Sequence, residues 1–167
     1  FSADTDFASI ASGIESGMRE QLISGLVGSS RQVMLAALFE RLQRPILIVT
    51  HNMFSAQKII EDLYECVSPE QVMLYPAHEL MVTETAVSSP EMLAQRIEAL
   101  SRLAQGFRGI IVAPYSGVRK LVPTKDVFAE EFITASVGQT MPLESFIQKM
   151  SDIGYERVDR VESRGEM

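Results

Sequence analysis

Pro45-Ile46-Leu47-Ile48-Val49-Thr50-His51-Asn52 decides the fold. Four apolar residues follow Pro45 with no polar alternation, the pattern of a strand buried on both faces of a parallel sheet. Asn52 then offers a helix N-cap, and Ala56, Ile59, Ile60 and Leu63 recur behind it at helical spacing. The same unit repeats along the chain. Before it, Gln21–Leu26 reads as a strand, and Val33, Met34, Ala37, Leu38 and Leu42 mark one face of a helix from Ser30. After it, Val72-Met73-Leu74-Tyr75 reads as a strand stopped by Pro76. Ser88 or Ser89 caps a helix with Pro90 near its start, Glu91 in its first turn and Leu93, Ile97, Leu100 and Leu103 as its buried stripe. Gly106 ends that helix, and Gly109-Ile110-Ile111-Val112-Ala113 is a further apolar strand. Strands alternating with helices at this spacing predict an α/β fold, an open parallel sheet with right-handed crossovers and helices on both faces.

Outside this core, Asp6–Ser16 predicts an opening amphipathic helix, and 78–89 lacks clean periodicity and reads as a loop. Pro114 and Pro123 bracket a change of character. Beyond Pro123 come a strand candidate over Phe132–Val137, a turn at Gly138, a helix over Leu143–Ile153 and a strand candidate over Tyr155–Val161. We therefore expect two domains, 1–122 and 123–167, the second being the opening part of a small α+β domain.

The 167 residues are 46% hydrophobic, enough for a packed core, and carry a net charge of −7, which argues against a free-standing nucleic-acid binder with a broad basic face. One cysteine, Cys66, excludes an internal disulfide framework and reads as a small hydrophobe buried in a helix. No stretch reaches the roughly 18 to 20 apolar residues of a membrane span, so a cytoplasmic protein without a membrane partner is expected. The chain opens on Phe1 and closes on Arg164-Gly165-Glu166-Met167, and it reads as a segment of a longer one.

Gly25-Leu26-Val27-Gly28-Ser29-Ser30-Arg31-Gln32 stands where a strand–loop–helix phosphate loop belongs. A working loop ends in a second glycine, a lysine for the β/γ oxygens and a hydroxyl for magnesium. Here Ser30, Arg31 and Gln32 replace them. Gln32 cannot act as that hydroxyl ligand, and the carboxylate pair Glu61-Asp62 falls inside a helix instead of at a strand end. The loop is not expected to bind ATP.

Other candidates have plainer readings. His51 follows a strand at the edge where α/β folds place their sites, but no nucleophile or orienting acid is evident beside it. His78 with Glu79 and Glu84 is too irregular for a metal site, so none is expected. Met34, Met92 and Met150 fall at core spacing. Arg96, Arg102, Arg108, Arg119 and Lys120 are spread over helices and loops, and Arg119-Lys120 reads as solvated surface that could touch a phosphate backbone. Tyr155-Glu156-Arg157-Val158-Asp159-Arg160 alternates as a strand with one charged face, and arginine favours interfaces.

Taken together, several segments carry a resemblance. Gly25 to Arg31, Pro45 to Asn52 with Ala56-Gln57, and Tyr75-Pro76-Ala77-His78-Glu79-Leu80 resemble the N-terminal module of bacterial transcription-repair coupling factors. So do Val87 to Glu91 with Gln95-Arg96, Val112-Ala113-Pro114, Val137-Gly138, Gly154 to Arg157 and Arg164-Gly165-Glu166. The resemblance runs from Gln21 to the end. It implies a module similar to the damage-recognition protein UvrB, with a degenerate RecA-like domain and then a small domain that docks UvrA. Tyr155, Arg157 and Arg164 match the docking positions.

The resemblance also implies a non-catalytic role here. The ATP- and magnesium-dependent motor lies downstream in the parent, and RNA polymerase and DNA are partners through that parent only. Contacts with other parent domains are implied as well. The tyrosine-rich hairpin that UvrB uses on DNA has no counterpart between Tyr75 and Pro90. An alternative is a half-motor that hydrolyses ATP with groups supplied by a partner, and a third reading is nucleic-acid binding through Arg119-Lys120 and a sheet edge.

Overall fold

The computed structural model describes residues 4–77, 90–130, 133, 137–162 and 167. The chain divides into two compact units, Phe1–Val122 and Pro123–Met167. In the first, a parallel sheet has the order β1-β3-β2, built from β1 (Ile46–Thr50), β2 (Val72–Leu74) and β3 (Ile110–Pro114). The helices are α1 (Thr5–Glu15), α2 (Ser30–Leu42), α3 (Met53–Tyr64), α4 (Pro90–Ala104) and a single turn α5 (Tyr115–Val118). This is the α/β architecture that the alternating pattern predicts.

Central β3 is buried at every position, as its unbroken apolar run requires. On one face, Ile110, Val112 and Val72 pack with Ala56, Ile60 and Leu63 of α3 and with Phe39 of α2. On the other, Ile111, Ala113 and Met73 meet Ala99, Leu100 and Leu103 of α4. Gly109 leads into β3 where only a hydrogen fits, since a Cβ would meet the Gln71 carbonyl oxygen at 2.3 Å.

β1 departs from the expectation of burial on both faces. Ile46 and Ile48 pack toward α3, whereas Leu47 and Val49 are 54% and 49% exposed. β1 is one of the two edge strands of the described sheet, and the helix on its second face packs over β2 and β3. The stripe of α4 is rotated for a related reason. Arg96 and Ala99 are buried, while Leu93 and Ile97 of the expected stripe are exposed.

Gln21–Leu26 is not a strand. Gly25 takes a left-handed φ of 84°, Leu22 is 97% exposed, and Leu26 packs onto the cluster of Phe7 and Ala11 from α1 with Met34 and Leu38 from α2. A strand needs a neighbour to pair its amides and carbonyls, and no ladder among the described residues reaches this segment. Cys66 sits past the end of α3, in the following turn, and is exposed instead of buried.

The second unit holds α6 (Lys125–Glu130), which the sequence pattern did not indicate, and α7 (Leu143–Asp152). The expected strand over Phe132–Val137 falls largely outside the described residues. The expected strand Tyr155–Val161 is reduced to a bridge, in which the Val158 N–H donates to the Met167 carbonyl (3.0 Å) and the Met167 N–H to that of Glu156 (2.9 Å). The expected loop over 78–89, the serine caps at 88 and 89, and Arg164 lie outside the described residues.

Candidate partner-binding site

In the first unit the degenerate loop and the end of β1 line one cavity. Gly28, with φ 60°, turns the chain into α2, and Ser30 begins the helix with its hydroxyl donating to the Val27 carbonyl (2.7 Å). That hydroxyl is turned back onto the backbone, and Ser29 makes no side-chain cap bond. Arg31 is exposed, and no ion pair with it occurs among the described residues. The Oε1 of Gln32 is buried and meets no hydrogen-bond donor among the described residues.

Facing this loop, the end of β1 is tightly tied. The Thr50 hydroxyl donates to the Asn52 carbonyl (2.9 Å), and Asn52 caps α3 by accepting from the Ser55 N–H (2.8 Å). His51 does have a serine beside it, correcting the sequence reading: its Nε2 lies 3.3 Å from the Ser55 hydroxyl. His51 precedes the extended N-cap Asn52 and so lies outside α3, which is why helical spacing does not reveal this pair. Gly28, Arg31, Gln32, Thr50, His51 and Lys58 line a cavity of about 540 Å³ here. Among the described residues no group of histidines, cysteines and carboxylates could hold a metal ion.

A second cluster was missed because a charge inside an apolar stripe reads as surface. Arg96 is buried (9% exposed), with its guanidinium donating to the carbonyls of Pro76 (3.1 Å) and Gly117 (3.4 Å) and stacked 4.4 Å over the Tyr75 ring. Burial pushes the Tyr75 hydroxyl above its ordinary value near 10, and the Arg96 charge partly opposes that rise. Arg96 therefore ties the chain leaving β2 to the chain leaving β3. Arg102 is likewise engaged, stacked 4.4 Å over Phe107 and donating to the Glu70 carbonyl (2.8 Å).

In the second unit, Tyr155 and Arg157 are both exposed, two residues apart on the segment that bridges to Met167. No ion pair involving Arg157 occurs among the described residues; the neighbouring Arg160 reaches Glu162 at 3.8 Å. The predicted site residues thus fall in two places: the loop residues on the first unit, and Tyr155 with Arg157 on the second.

The chain is 38% identical over 161 residues to the transcription-repair-coupling factor of Bacillus subtilis, a match spanning 96% of this chain. Over this stretch the chain belongs to the transcription-repair-coupling factor family. The factor of Staphylococcus aureus strain USA300 is 29% identical over 150 residues, or 90% of this chain. The chain spans only 14% and 13% of the length of these relatives. No protein-family model matches it. Among the described residues no helix is long and apolar enough to cross a membrane.

Proposed function

We propose that this segment of a transcription-repair-coupling factor is a non-catalytic interaction module that recruits UvrA. Residues 1–122 serve as a degenerate RecA-like domain resembling domain 1a of UvrB. Residues 123–167 serve as the opening part of the UvrA-docking domain. The observation that carries the reading is Arg157: an exposed guanidinium beside Tyr155, with no carboxylate paired to it among the described residues. Such a group is open to a charge-assisted contact with a partner, where electrostatic complementarity sets specificity and encounter rate. Arg164 joins the surface by resemblance. RNA polymerase and DNA become partners through the longer protein, in keeping with the relatives' name, and the first unit holds other parts of that protein.

Capture of UvrA by the chain and by an Arg157→Ala variant tests this. We expect at least a tenfold weaker affinity for the variant, about 1.4 kcal/mol. Equal retention by both would remove Arg157 from the account.

The alternative of a half-motor draws support from one observation, the cavity of about 540 Å³ at the loop. Against it stand the substitutions at Ser30, Arg31 and Gln32, which leave neither a lysine for the terminal phosphates nor a hydroxyl for magnesium. Titrating the chain with ATP and magnesium in a calorimeter should give no binding tighter than about 100 μM, roughly −5.5 kcal/mol. Tighter, saturable heat would restore the nucleotide-binding reading.

A further inference from the structure

We draw no further inference here: the strongest candidate, the uncovered apolar strip of edge strand β1 at Leu47 and Val49, carries nothing because nothing in the structure shows what covers it.

Discussion

The two faces of the sheet are built differently. Under α3, side chains from all three strands close into one apolar layer around Leu63, Ile110 and Val112, each with relative exposure below 2%. On the opposite face α4 packs over β2 and β3, leaves Leu47 and Val49 in solvent, and buries a cation, Arg96, among backbone carbonyls. The first face is an apolar cluster. The second is held partly by hydrogen bonds to a charge, and one strip of it is held by nothing among the described residues. Stability and adaptability are thus divided across a single sheet.

Three substitutions probe that division. Leu63→Ala strikes the closed face, where a fully buried leucine leaves a cavity, and should cost about 2 to 5 kcal/mol by urea denaturation. Arg96→Met strikes the second face. Methionine roughly replaces the buried stem, but the carbonyls of Pro76 and Gly117 lose their donor, so a loss of about 2 kcal/mol is expected in the same assay. A neutral result would mean that desolvating the guanidinium cancels its bonds. Leu47→Lys strikes the open strip and should change stability by no more than about 0.5 kcal/mol. A large loss there would show that the strip is covered in solution, and the contrast between the faces would fall.

The sequence declared some of this and concealed the rest, for physical reasons. Ile110 to Ala113 is legible as a buried strand because a central strand with helices on both sides has no polar side to display. Ile46 to Val49 carries the same signal, yet half of it is exposed, because the extent of helix cover is set by distant packing and not by the strand's own residues. Gln21–Leu26 shows the converse: strand-like composition without a pairing neighbour stays irregular.

At the site, the losses at Ser30, Arg31 and Gln32 are plain in the one-dimensional pattern, since a motif fails residue by residue. Arg96 was hidden, because its partners are backbone carbonyls 20 and 21 residues away that no side-chain pattern encodes. His51 with Ser55 lay between these cases, four residues apart but on either side of the extended Asn52 cap, so helical periodicity does not bring them together.

The edge position of β1 also bears on how the chain behaves in crowded solution. Ile46–Thr50 carries no lysine, glutamate or proline within its span, the residues by which exposed strand edges discourage pairing with other molecules. The net charge of −7 opposes such pairing. At 0.15 M ionic strength that repulsion decays over about 8 Å, and at 1 M over about 3 Å. The colloidal stability of the chain is therefore tied to ionic strength, with low salt favouring dispersed molecules.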